Sequence, residues 1–296
     1  MNDPTRGARW SAALAAALLV TVTAPLGAQT HDWFEMSSRR QVDGVSQLDV
    51  DVEYAVGRLV VDPADAGLLY RMDLRYDANQ FQPKRTWSAD AGTGRLGLQM
   101  RTEDGNIELG DLDNVDSKDL GTLELGLSRE IPTTLSLGVM AAEAKLDLGG
   151  LALQRFVFRT GASEARIDFD APNPVRMDRL ELAAGAADFE ATGLGNARFD
   201  SFEFTGAVGD VRLDFTGDWE GSAEGEIRMG LGSLSLTFPR DIGVRIEKQG
   251  FLTSFNSAGF EEVDGGYQTA NWDEAANRLT LEVRAGLGDI DVDFVD

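Results

Sequence analysis

One local unit recurs six times along the chain: a glycine followed by apolar residues two, four and often six positions later. It appears as GRLVV from Gly57, GRLGLQM from Gly94, GTLELGL from Gly121, GDVRLDF from Gly209, GSLSLTF from Gly232 and GDIDVDF from Gly288. Alternation with period 2 puts every second side chain on one face of an extended strand, so each unit predicts a half-buried β-strand. The leading glycine permits a positive φ or a sharp corner that a Cβ would resist. Helical spacing extends over no useful length. The expected class is therefore all-β.

Between Leu135 and Ile246 the units form a loose repeat, opened by Gly138, Gly161, Gly185, Gly206 and Gly230 at steps of 23, 24, 21 and 24 residues. A repeat of this length signals stacked units, each burying its apolar face against its neighbours. Aligned strands give the inward sets Ala144/Leu146/Leu148, Ala165/Ile167/Phe169, Phe189/Ala191, Val211/Leu213/Phe215 and Leu234/Leu236/Phe238. Second strands are visible in Leu153/Phe156/Phe158, Val175/Met177/Leu180/Leu182, Phe199/Phe202/Phe204 and Ile227/Met229. Each coil is thus expected to hold at least two strands and two corners. A β-sandwich built from hairpins would show the same alternation, and the near-constant step is what favours stacking.

The segmentation follows from where the pattern is kept. Residues 45–132 form an irregular N-terminal part that serves as a cap, 133–246 the regular coils, and 247–296 a C-terminal excursion with closing strands at Leu279 to Phe294, all in one domain. Ahead of them, 29–44 reads as a mobile segment and 1–28 as a secretory signal. Arg6 and Arg9 precede the apolar run Trp10 to Ala24, and Leu26-Gly27-Ala28 supplies a cleavage pattern. The run is shorter than the roughly 20 residues a membrane anchor needs. The mature chain is expected to start near Gln29, exported to the periplasm, envelope or exterior, with no membrane span after cleavage.

Composition narrows the chemistry. There is no cysteine, which excludes disulfides, thiolate metal sites and cysteine nucleophiles. The single histidine, His31, sits just past the expected cleavage site, so a Ser-His-Asp triad or a histidine-based zinc centre is not expected. A formal charge of −23 repels phosphate backbones, and nucleic acid is not an expected partner. No Gly-rich phosphate loop is present, because the glycines precede strands rather than helices. No cofactor and no catalytic residue is expected, and the chain reads as a non-enzyme.

The richest polar constellation lies on the outward side of the aligned strands. Glu143/Lys145/Asp147, Glu164/Arg166/Asp168, Asp188/Glu190/Thr192 and Asp210/Arg212/Asp214 would form carboxylate columns flanking a mostly basic one. The candidate interaction face is accordingly Glu164, Arg166, Asp168, Glu190, Asp210, Arg212 and Asp214. Such a face could hold a divalent ion or a carbohydrate, or could be a solvated surface of alternating sign. Asp289/Asp291/Asp293 could protect an exposed edge. Trp219, Phe251, Phe255, Tyr267 and Trp272 could stack on sugars or close the ends of the core.

The motifs LELGLSREIP at Leu123 to Pro132, LSLGVMAAEAKLDLGGL at Leu135 to Leu151 and GLGDIDVDF at Gly286 to Phe294, together with the repeats, resemble the LiaF-type toast-rack family of bacterial envelope domains, which is similar to adhesin-like solenoid domains. That resemblance implies a right-handed parallel β-solenoid and, in LiaF proteins, sensing of envelope stress beside a membrane kinase. LiaF proteins carry membrane helices ahead of this domain, whereas this chain shows only a removable signal, so the kinase role is not carried over. The expectation is an exported structural or interaction module of the cell envelope, with an unknown envelope protein or glycan as partner. A carbohydrate-binding or carbohydrate-active β-helix is the alternative.

Overall fold

The computed structural model describes residues 32–102, 121–256 and 258–296. The expected signal, the mature start at Gln29 and His31 lie outside the described residues. In chain order the strands are β1 (Trp33–Gln41), β2 (Gln47–Pro63), β3 (Leu68–Asp77), β4 (Phe81–Asp90), β5 (Thr93–Thr102), β6 (Thr122–Leu127), β7 (Thr133–Asp147) and β8 (Leu153–Asp168). They continue as β9 (Met177–Thr192), β10 (Phe199–Asp214), β11 (Ser222–Pro239), β12 (Gly243–Phe255), β13 (Phe260–Val263), β14 (Gly266–Thr269) and β15 (Arg278–Val295). Among the described residues no helix is long and apolar enough to cross a membrane.

All fifteen strands belong to one sheet, whose central path β2-β7-β8-β9-β10-β11-β15-β12 is parallel at every step. The strands are long because each one bends in the middle while staying hydrogen-bonded to its neighbours. The rings of Phe202 and Phe215 lie 5.4 Å apart, edge to face. In a straight strand thirteen residues would separate them by roughly 43 Å. Each strand therefore folds back over its own first half, and the apolar residues of both halves meet inside. Every residue of the five expected inward sets is buried there, as are Phe156, Phe158, Leu180, Leu182, Phe202, Phe204 and Ile227. Burying each large side chain contributes about 1.5–3 kcal/mol, and the contacts of Phe189 with Phe158 and Phe204, at 6.3 and 5.2 Å, link successive coils.

The structure corrects the coil expected from the sequence. The two expected strands of each coil are the halves of one long bent strand, with the bend and the loop between coils as its corners; pairing runs close to the bend on both sides and lapses there between β7 and β8. The bend column runs Met140, Gly161, Gly185, Ala207, Gly230, Gly286, so Gly138 and Gly206 fall short of it and the glycine alignment slips by one or two positions. A Cβ at Gly185 would stand 2.6 Å from the Gly161 carbonyl oxygen of the strand below. Close backbone approach at the bend is what those glycines allow.

Chain order and stacking order also differ at both ends. β15 pairs with β11 on one side and β12 on the other, so the expected closing strands lie inside the stack. That end is finished by β12 and the β13–β14 hairpin, where Phe255, Tyr267, Phe260 and Phe294 form a ring cluster. At the other end β2 is a full member of the stack, paired along its length with β7. The first half of β2 also pairs with β5 and its second half with β6, which together make up one further coil. Residues 45–132 therefore contribute regular strands as well as the antiparallel caps β3 and β4, and residues 33–41, within the segment expected to be mobile, instead form β1, held by antiparallel pairing with β3. The period was obscured because β3 and β4 interrupt it in sequence.

Asparagines bind the loops between coils. Asn173 is buried; its side chain accepts from the Leu153 amide at 3.0 Å and donates to the Leu153 and Ala197 carbonyls at 2.7 and 3.2 Å. Asn196 donates to the Phe169 carbonyl at 2.7 Å and accepts from the Asp218 amide at 2.7 Å. Asn277 accepts from the Gly221 amide at 2.8 Å and donates to the Trp219 carbonyl at 3.1 Å. A loop that leaves the ladder has unpaired backbone groups, and these amides satisfy them from the adjacent turn.

Candidate interaction faces

The second halves of the strands carry the face expected from the sequence. Glu164 pairs in register with Asp188, Arg166 with Glu190, and Glu190 with Arg212. Arg166 bonds Glu164 and reaches Glu190 at 3.7 Å. Thr192 donates its hydroxyl to Asp168 at 2.9 Å, and Ser233 to Asp210. A shallow depression of about 350 Å³ lies over Lys145, Asp147, Arg166, Asp168, Glu190 and Thr192. Asp214 bonds the Thr216 amide at 2.8 Å, and among the described residues Arg212 makes no ion pair. The register thus brings six of the seven residues into adjoining columns with polar partners, while Arg212 joins them in position alone. Among the described residues no group of three or more His, Cys, Asp or Glu side chains converges in an arrangement that would hold a metal.

The pairs on this face are solvated, with Arg166 58% and Glu190 41% exposed, so each contributes about 0–1 kcal/mol. Glu190→Lys should lower the melting point modestly. Adding Arg166→Glu and Arg212→Glu should recover part of that loss by restoring alternation along the column. Thermal melts of the single and triple variants check this, and no recovery would remove the column as an electrostatic unit.

One carboxylate at the head of the acidic column is perturbed. Burial raises the pKa of Asp62 above its ordinary 3.8; Arg71, 3.3 Å away, opposes the shift, while Glu124, Asp147 and Asp65 add to it. A carboxyl whose folded pKa is raised costs stability once the pH exceeds that value, and the cost disappears as the pH falls below the unfolded value. Asp62→Asn should therefore raise the melting point at pH 7 and leave it unchanged near pH 3. Arg71 also pairs with Asp73, at 3.6 Å, so the substitution removes one of its two carboxylate partners. Melting curves across that range test the sign.

A second ordered face lies outside the first halves and was missed in the sequence. Glu181, Glu203, Glu226, Glu282 and Glu247 occupy one column in successive strands. Arginines in the flanking columns connect them: Arg159 to Glu181 at 2.5 Å, Arg179 to Glu181 at 3.2 Å and Glu203 at 2.5 Å, Arg228 to Glu203 at 2.8 Å and to Glu226, and Arg284 to Glu226 and to Glu282, the last at 2.6 Å. The glutamates from 181 to 282 are only 16–31% exposed, because the arginine stems lie over them. The available signal was a glutamate set among apolar residues in each first half, as in LEL, FEF and LEV.

The aromatic candidates pack into the protein. Trp219 donates its indole N–H to the Phe215 carbonyl at 2.7 Å and meets Phe199 edge-on at 5.7 Å. Phe255 and Tyr267 touch at 4.8 Å in the terminal cluster. Arg278 lies 5.9 Å from the Trp272 ring. The Phe251 side chain lies outside the described residues.

A sheet of long parallel strands, each folded over its own first half and stacked in register with charged columns outside, defines a repetitive all-β class with broad faces. The chain belongs to the family of the N-terminal domain of toast_rack, DUF2154, whose profile matches residues 29–178, just over half of it. Among solved structures it is similar to a candidate cell adhesion protein from Clostridium sporogenes, at 18% identity and TM-score 0.50, over 89% of this chain and all of that one. A candidate adhesin from Bacteroides fragilis aligns at 10% identity and TM-score 0.38, over 88% of this chain and 97% of that one. No curated protein matches the chain significantly.

Proposed function

We propose that the chain is an exported, non-enzymatic interaction module of the bacterial cell envelope, whose stacked strands wind as a right-handed β-solenoid. The observation that carries the reading is the repetition of the outward face: Arg166, Glu190 and Arg212 follow one another at strand spacing, about 4.8 Å, with carboxylate columns on both sides. A periodic face of this kind suits an extended or repetitive partner better than a small substrate, which enters a concave pocket with a few convergent polar groups. Family membership supports the reading, and so does the candidate adhesion role of the Clostridium sporogenes protein that shares the fold. The right-handed winding follows from the general handedness of parallel crossovers.

The face of Glu164, Arg166, Asp168, Glu190, Asp210, Arg212 and Asp214 is the proposed contact surface, and an envelope protein the proposed partner. Affinity capture from envelope extract on the immobilised chain tests this. The expected result is an envelope protein retained by the native chain and lost with Arg166→Glu and Arg212→Glu together. Retention of glycan alone would favour the carbohydrate-binding alternative, and cleavage of that glycan would overturn the non-enzymatic reading. Retention that the double variant leaves unchanged would move the contact off this face.

A further inference from the structure

A stack of strands leaves open edges at its ends, and an open edge invites another strand unless something guards it. At one end the outermost strand is β13, only four residues long and carrying Glu261 and Glu262. At the other end β4 carries Pro83, Lys84 and Arg85. Short length, charge and proline each resist further pairing. β1 has neither the short length nor the proline: it runs nine residues and, among the described residues, pairs on one side alone, with β3.

The backbone groups on that edge follow from one hydrogen bond. The Ala78 amide donates to the Asp32 carbonyl at 2.8 Å, so the peptide groups of residue 32 face β3. Facing alternates along an antiparallel strand. The N–H and C=O of Phe34, Met36, Ser38 and Arg40 therefore turn toward β3, and those of Glu35, Ser37 and Arg39 toward the open edge. The charges on the open-edge residues are opposite in sign and equidistant from Ser37. Glu35 is exposed and makes no ion pair among the described residues, and Arg39, 64% exposed, reaches Asp73 only at 3.8 Å. The edge is thus complementary to its own reverse.

We propose that β1 pairs antiparallel with β1 of a second copy, about a two-fold axis through Ser37. This register sets Glu35 of each copy opposite Arg39 of the other and Ser37 opposite Ser37, as an isologous contact requires. On the core side it lays exposed Phe34 beside the Arg40 stem of the second copy. Any other register that keeps the faces aligned loses both ion pairs. Three facing pairs supply about six main-chain hydrogen bonds, and edge pairing draws its affinity from such bonds rather than from area. The opposite wall stays clear of the joint, because β4 ends one strand short of β1. The two β4 edges then lie three strand spacings apart, roughly 14 Å, which exceeds the screening length of about 8 Å and weakens repulsion between their cations. The inference goes beyond the envelope-module reading and stands whether or not that reading holds.

Sedimentation equilibrium of the purified chain from about 10 µM to 1 mM tests it, in the range of weak encounters. The expected result is a monomer–dimer equilibrium whose association constant falls about tenfold in Ser37→Pro, which removes an outward N–H and spares the pairing with β3. Arg39→Glu should weaken association as well, and Glu35→Arg with Arg39→Glu in one chain should restore it. A monomer at every concentration, growth beyond the dimer, or no recovery on the charge swap overturns the proposal. The register is read separately, because the chain has no cysteine of its own. Under mild oxidation Ser37→Cys should link two copies, since facing Cα atoms about 5.5 Å apart suit a disulfide. Glu35→Cys should not, because like positions there lie roughly 13 Å apart along the strands. Equal linking of the two variants, or no link through Ser37→Cys, overturns the arrangement.

Discussion

Gly232→Val should cost the domain about 3 kcal/mol or more, combining backbone strain of about 1–3 kcal/mol with overpacking of similar size. Gly232 holds φ at +135°, a conformation that side chains rarely adopt. A Cβ there would collide with the Gly209 carbonyl of the strand below. Gly209, Gly232 and Gly288 pair with one another in register, so the strand above presses the same column. The ladder would have to open at the bend, where both halves of the core meet. Ser235→Val, on the outward side of the same strand, should change stability by less than about 0.5 kcal/mol. Urea denaturation of both variants gives the comparison, and equal shifts would remove the corner role of Gly232.

Asn173→Ala should be nearly as damaging, at about 3 kcal/mol, through a different cause. The side chain is buried and makes three hydrogen bonds to backbone groups of two neighbouring loops. Truncation would take the amide donor from the buried Leu153 and Ala197 carbonyls and leave the Leu153 amide with only the Leu151 carbonyl at 3.0 Å, and each dry, unpaired group costs about 1–3 kcal/mol before relaxation or water entry. Asn173→Asp keeps the acceptor for the Leu153 amide but loses both donors, so it should recover only part of the loss. Amide hydrogen exchange adds a local readout: the Leu153 amide should lose protection in the alanine variant and keep more of it in the aspartate variant. Full protection in both would show that the loop holds without the side chain.

The inward sets and the outward columns of the second halves were legible because both follow from period 2. Once Val211, Leu213 and Phe215 point inward, Asp210, Arg212 and Asp214 must point out. Parallel stacking was legible from the step between units, since strands that begin alike and recur at constant length pair like with like. The glutamate ladder was less so. Its signal, one glutamate among large apolar residues, resembles any half-buried strand until the neighbouring strands supply the arginines on either side. The asparagine clamps had no legible signal, because an asparagine in a loop is expected for turn geometry alone.

The amino-acid order by itself determined the all-β class, the buried set, the charged columns and the stacking of like units, because each depends on side-chain alternation and spacing within one strand or between consecutive ones. Only the tertiary structure decided that each strand folds over itself, that β15 inserts between β11 and β12, and that β5 and β6 together complete a coil beside β2. The physical reason is that parallel strands with the same pattern of large apolar residues offer one another equivalent edges. The local sequence of β15 suits the side of β12 as well as that of β11. The choice among equivalent edges is made by which connection can span the distance and which end remains to be capped, and neither is written in any single strand.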